Sequence, residues 1–114
     1  MTLTAEMLAA AYDYLCFTSP FDKWMPPSDE VKFLVIKSTD RYAHYQMIDD
    51  VHHIAVSTRF VDRHMTLLST MAHEMIHLHI RSSGIRQRNA HGRAFQRLAD
   101  EVCSHHPEFD RLNF

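Results

Sequence analysis

The chain has 114 residues, of which 46% are apolar and 23% are charged, with a net charge of −2 and two cysteines. This length and balance are typical of one globular domain spanning 1–114, and they exclude a disordered chain, a fibrous protein and a disulfide framework. Because no apolar run approaches 18 residues and the N-terminus lacks a basic region, we expect a reduced, cytoplasmic protein without membrane contact.

The hydrophobic pattern predicts an α+β fold with one N-terminal helix, a small sheet and two further helices. Asp49-Asp50 separates two β-rich runs as a hairpin turn, so we expect a three-stranded sheet of the antiparallel type. Ser82-Ser83-Gly84 ends the second helix. The predicted segments are a helix over 2–17, strands over 31–36, 42–48 and 52–58, and helices over 62–81 and 91–104.

Histidine is unusually frequent, and charge is unevenly distributed along the chain. There are ten histidines against three lysines, and histidine is the most common transition-metal ligand among side chains. Residues 1–74 carry six basic and ten acidic side chains, whereas 75–114 carry six basic and four acidic ones. The C-terminal part is therefore basic within an acidic chain, and the excess of histidine raises the question of where the histidines lie.

The predicted second helix contains the segment His73-Glu74-Met75-Ile76-His77. Residues i and i+4 lie on one face of a helix, so His73 and His77 can bind the same metal ion. Glu74 is rotated by about 100° from His73, near enough to act on a water beside the metal without binding the ion itself. This is the His-Glu-x-x-His pattern of zinc hydrolases, which supplies two ligands and one general base.

A catalytic zinc ion also needs a third protein ligand. The extended pattern with a glycine and a third histidine fails, because positions 80 and 83 are Ile and Ser. Glu101 is a candidate if the third ligand is a carboxylate, whereas His79 would point away from the pair. We favour His91, because the 13 residues after His77 allow the last helix to fold back over the first two ligands.

These residues resemble the SprT-like (Spartan-type) metalloprotease domain. The resemblance is carried by the histidine pair and glutamate, by His91-Gly92-x-x-Phe95 and by the strand residues 54–57, and it is to a minimal form without a C-terminal zinc ribbon. It implies a zincin-like fold that binds one Zn2+ ion through His73, His77 and His91, with Glu74 as the catalytic base. Family members include intracellular proteases that degrade proteins crosslinked to DNA, so the resemblance also implies a role in DNA–protein crosslink repair.

Four arginines in the acid-free stretch between Glu74 and Asp100 are candidates for a phosphate-binding rim. The alternative is a solvated face on which Arg97 pairs with Glu101 at i+4. The chain is acidic overall and no aromatic platform interleaves the arginines, so we predict weak, salt-sensitive nucleic-acid binding at most. The four residues are Arg86, Arg88, Arg93 and Arg97.

The sequence thus supports a monomeric zinc-dependent endopeptidase with a polypeptide substrate, in which Glu74 accepts a proton from the attacking water. A non-catalytic module, in which zinc ties two helices together and the domain binds nucleic acid or protein, is the alternative. A zinc hydrolase acting on a small amide is a third reading, because the motif defines the attack and not the substrate. Tyr42, Tyr45 and His79 are candidate donors to the developing oxyanion.

Overall fold

The computed structural model describes residues 2–114 and has the predicted α+β class. Its first helix begins later than predicted, because Thr4 caps its N-terminus by accepting a hydrogen bond from the backbone N–H of Met7 at 3.2 Å, and it ends two residues earlier, at Leu15. Two short 3-10 turns are also present, Ser28–Glu30 between the first helix and the first strand and Arg111–Asn113 after the last helix. These elements are α1 (Ala5–Leu15), β1 (Val31–Ile36), β2 (Ala43–Ile48), β3 (Val51–Ser57), α2 (His64–Ser82) and α3 (Arg93–His105).

The sheet is mixed, and the predicted antiparallel type is wrong for one of its two strand pairs. The strand order is β1-β3-β2, with β3 antiparallel to β2 and parallel to β1. The chain reverses direction between β1 and β2 and again between β2 and β3, so β1 and β3 run the same way. Because β3 inserts between the other two strands, β2 becomes an edge of the sheet.

The hairpin between β2 and β3 has the predicted two-residue turn. Asp49 and Asp50 have φ angles of 50° and 62°, and the flanking Ile48 and Val51 pair across the strands. Positive φ at both central positions is the backbone of a type I′ turn, whose twist matches that of the strands. This turn fixes the register that brings β2 alongside α2.

The core lies between α1, α2 and one face of the sheet. The helix α3 packs against α2 and contributes its buried side chains to the same core. The central strand β3 is buried from Ile54 to Ser57, since it is covered by helices and paired on both edges. Gly84, at φ 69°, follows the end of α2 in the left-handed conformation common just beyond a helix C-terminus. Among the described helices, none combines the length and apolarity needed to cross a membrane. The helical core residues include Leu8, Tyr12, Leu15, Met71, Met75, Ile76, Leu78, Phe95 and Val102.

Candidate metal centre

Three histidine side chains converge where α2 meets the segment before α3. His73 and His77 lie one turn apart on α2, and His91 lies two residues before the first residue of α3. The Nε2 atom of His73 is 3.2 Å from Nε2 of His91 and 3.3 Å from Nε2 of His77. Within residues 2–114 this trio is the one group of histidine, cysteine or acidic side chains close enough to share a metal ion.

The spacing of these nitrogens fits a tetrahedral zinc ion. Zinc binds imidazole nitrogen at about 2.0–2.1 Å, which requires neighbouring ligand nitrogens about 3.3–3.4 Å apart. The measured separations of 3.2 and 3.3 Å are close to that value. Burial, followed by the neighbouring imidazoles, lowers the pKa of both His73 and His77 to about 4. Both rings are therefore neutral at pH 7, which is the state that binds a metal.

His73 has its tautomer defined by a second contact. Its Nδ1 atom lies 3.3 Å from the backbone carbonyl oxygen of Asn113. Because a carbonyl oxygen only accepts hydrogen bonds, Nδ1 must carry the proton and Nε2 presents its lone pair to the other histidines. This is how a metal-binding histidine is commonly oriented.

Phe95 forms the apolar floor under the three imidazoles. Its ring centroid lies 4.9 Å from that of His73, 4.8 Å from that of His77 and 4.7 Å from that of His91. Phe95 is itself completely buried, so the three rings rest on a fixed surface. The side chain joins the first turn of α3 to the middle of α2.

Glu74 is the one buried carboxylate in the described part of the chain, with 6% of its surface exposed. It lines the same clefts as His73 but does not belong to the histidine group. Burial raises the pKa of the Glu74 carboxyl to about 7, although the positive charge of Arg41 acts in the opposite direction. A carboxylate whose pKa lies near neutrality is suited to accept and return a proton.

Two adjoining clefts, of about 550 and 1160 Å3, meet at Ala43, His73 and Glu74. The smaller cleft has a wall made by Tyr42 stacked on Phe60 at 4.6 Å. The larger one follows β2 from Ala43 to Met47 and continues past His77 and His91. Together they form a groove between the edge strand and α2, with the histidine site at its middle.

The other predicted site residues are dispersed. Glu101 accepts a hydrogen bond from the Ser19 hydroxyl and lies outside the histidine group, as does His79. Tyr45 lines the larger cleft but its hydroxyl is bonded to His52 Nδ1 at 2.7 Å, and Tyr42 lines the smaller cleft.

Of the four arginines, Arg86 alone lines the groove. All four are exposed, and none has a carboxylate within ion-pair distance among residues 2–114. The alternative pairing of Arg97 with Glu101 is therefore absent from this part of the chain. The four arginines are Arg86, Arg88, Arg93 and Arg97.

Sequence reasoning missed the residues at the C-terminal end that contact the site. Asn113 is bonded to His73, and the Phe114 ring lies 5.9 Å from the His73 ring. The segment has no hydrophobic periodicity, and its local signal is that Asp110 caps the turn by accepting from Leu112 N–H at 3.0 Å. That signal predicts a turn and does not say where the turn docks.

One of three comparisons with known proteins returned a match. The model of the SprT-like family matches residues 6–113, which is nearly the whole chain. Searches of curated proteins and of solved structures returned no significant match. The matched range contains the positions of the three histidines and of Glu74, and because it covers nearly the whole chain, the chain belongs to the SprT-like family.

Proposed function

We propose that this domain is a zinc-dependent endopeptidase. The observation that carries the proposal is the convergence of three imidazole nitrogens at zinc-compatible spacing beside a buried glutamate. Membership of the SprT-like family is consistent with a metallopeptidase-like domain. A purely structural zinc site has four protein ligands and needs no base, whereas three ligands leave a position for water or substrate.

His73, His77 and His91 would hold the ion, which when bound supplies Lewis-acid polarisation of the scissile carbonyl and makes water more acidic. The Glu74 carboxylate accepts a proton from the water that attacks the carbonyl carbon. It then donates that proton to the leaving amine nitrogen as the peptide bond breaks. Burial favours the protonated form of the Glu74 carboxyl, which supports its return of the proton to the leaving group.

The groove supports an extended polypeptide as the substrate. β2 is an edge strand, so the outer row of its backbone N–H and C=O groups is available for pairing. Residues Ala43 to Met47 of this strand line the larger cleft beside His77. A peptide lying along β2 would be held by backbone hydrogen bonds with its chain crossing the histidine site. Such binding is indifferent to most side chains and requires the substrate to be locally unfolded.

The zinc-loaded protein should cleave unfolded casein, and a chelator should abolish the cleavage until zinc is restored. A DNA-binding protein, offered with and without DNA, tests the narrower proposal that DNA-associated or DNA-crosslinked proteins are the substrates. Intact substrates despite stoichiometric zinc would contradict the peptidase proposal and favour the alternative of a zinc-stabilised adaptor for nucleic acid or protein. Cleavage that resists the chelator would exclude the metal mechanism.

The exposed, unpaired arginines support weak contact with nucleic-acid phosphates as a further proposal. If all four contact duplex DNA, log K should fall with log[salt] with a slope of about −3.6, and Arg93→Ser/Arg97→Ser should halve it to about −1.8. Arg63→Ser, which removes an exposed arginine elsewhere, is the matched control and should leave the slope unchanged. Fluorescence anisotropy with a labelled duplex measures both slopes. Binding that does not respond to salt would contradict the electrostatic contact.

A further inference from the structure

The C-terminal 3-10 turn is fastened to α3 by one side chain, that of Arg111. Its Nε donates to Asp100 Oδ1 at 2.7 Å, and its Nη2 donates to Gln96 Oε1 at 2.6 Å and to the Gln96 carbonyl oxygen at 3.2 Å. Arg111 is the one arginine with an ion pair in the described part of the chain. A guanidinium that bonds a carboxylate and an amide together has its orientation fixed.

The turn that Arg111 holds in place contacts His73, the first of the three histidines. Asn113, two residues after Arg111, accepts the hydrogen bond from His73 Nδ1, and the ring of Phe114 stacks on the His73 ring. The position of the turn therefore determines which nitrogen of His73 carries the proton. If the turn moved away, no carbonyl oxygen would hold the proton on Nδ1, and the imidazole could exchange tautomers.

The same arginine is also connected to the third histidine. Gln96, which accepts from Arg111, donates through its Nε2 to the backbone carbonyl oxygen of His91 at 3.1 Å. His91 is exposed and precedes the first residue of α3. Its backbone is therefore held by hydrogen bonds from side chains such as Gln96, in place of the hydrogen bonds of a helix. Its own N–H donates to Asn89 Oδ1 at 3.1 Å on the other side. Gln96 thus connects the guanidinium of Arg111 to the loop that carries His91.

We infer that Arg111 is a positioning residue for the metal centre, which through Asn113 and Gln96 sets the orientation of His73 and His91. The inference rests on the proposed function, because it takes these histidines to be zinc ligands. The simpler role, in which Arg111 fastens the C-terminal turn for stability alone, makes a different prediction. In that case, substitution of Arg111 would lower the free energy of unfolding without changing the affinity of the folded protein for zinc.

Zinc affinity measured by competition with a chromophoric chelator distinguishes the two roles. Arg111→Met should weaken zinc binding by about tenfold or more, the range typical of lost partners of metal-binding histidines. Arg63→Met is the matched control, because Arg63 is exposed at the start of α2 and unpaired within residues 2–114, and it should bind zinc like the unsubstituted protein. Unchanged affinity in Arg111→Met would overturn the inference alone, whereas no zinc binding by the unsubstituted protein would overturn the proposed function as well.

A nitrogen-15 NMR spectrum of the imidazoles provides a readout that needs no variant. In the unsubstituted protein, His73 should carry its proton on Nδ1, both without metal and with zinc bound. In Arg111→Met without metal, the His73 signals should move towards those of a tautomer mixture. A proton on Nε2 of His73 in the unsubstituted protein would overturn the inference, even if Arg111→Met proves unable to fold.

Discussion

Replacing Glu74 with glutamine should lower kcat/KM for peptide cleavage by about 10²–10⁴-fold while zinc remains bound. The amide has nearly the same shape as the carboxylate but cannot accept a proton from water. Because Glu74 lies outside the group of three histidines, the substitution leaves the metal ligands intact. A fluorogenic peptide measures the rate, and chelator competition measures the zinc affinity.

The matched control is Glu6→Gln, which removes an exposed carboxylate from the first turn of α1. It should leave both cleavage and zinc affinity unchanged. Undiminished cleavage by Glu74→Gln would exclude Glu74 as the base. Loss of cleavage together with loss of zinc would show instead that Glu74 supports the metal site.

Glu74→Gln should also stabilise the metal-free protein at alkaline pH. In the unsubstituted protein the Glu74 carboxyl is ionised there, and its burial makes the ionised form unfavourable in the folded state. The unfolded chain loses this proton near the ordinary pKa of 4.5, whereas burial holds it in the folded chain until about pH 7. Below about pH 4.5 Glu74 is protonated in both states, so it does not destabilise the folded protein. The destabilisation grows between pH 4.5 and pH 7 and is complete above about pH 7, where it is on the order of 3 kcal/mol. Urea unfolding of both proteins at pH 4.5 and pH 8 measures it. A stability difference that does not grow with pH would contradict the buried ionisation of Glu74.

Phe95→Ala should lower the free energy of unfolding by about 3–5 kcal/mol, a large part of the stability of a domain of this size. Phe95 is completely buried, and its removal leaves a cavity between α2 and α3. The same cavity lies under all three imidazoles, so the folded variant should also bind zinc more weakly. Urea unfolding without metal and chelator competition separate the two effects.

Val102→Ala is the control for this second prediction. Val102 is also fully buried on α3, but it lies nearly two turns further along the helix than Phe95. Its truncation should destabilise the fold and leave the zinc affinity of the folded protein unchanged. If both variants weakened zinc binding equally, the loss would reflect general loosening of α3 rather than the floor that Phe95 provides.

The local parts of the fold were predictable because short-range patterns encode them. The i and i+4 spacing of His73 and His77 places both on one helix face wherever the helix packs, and α2 has this geometry. The two aspartates of the hairpin favour the turn that the structure contains. The start of α3 was predicted two residues early, at His91, and Gly92 explains the difference. A Cβ at Gly92 would lie 3.1 Å from Gln87 Oε1 and 3.3 Å from the Asn89 carbonyl oxygen, so the loop folds tightly there before the helix begins.

The sequence by itself determined the α+β class, the helix that carries the histidine pair and the identity of the candidate base. Tertiary structure alone decided that β3 runs parallel to β1, that β2 is the free edge beside the histidines, and that Arg111 and Asn113 reach His73. The reason is the range of the interactions concerned. Periodicity and turn preference act over a few residues, whereas strand order and the docking of the C-terminal turn depend on contacts between segments far apart in the chain, for which one sequence carries no local signal.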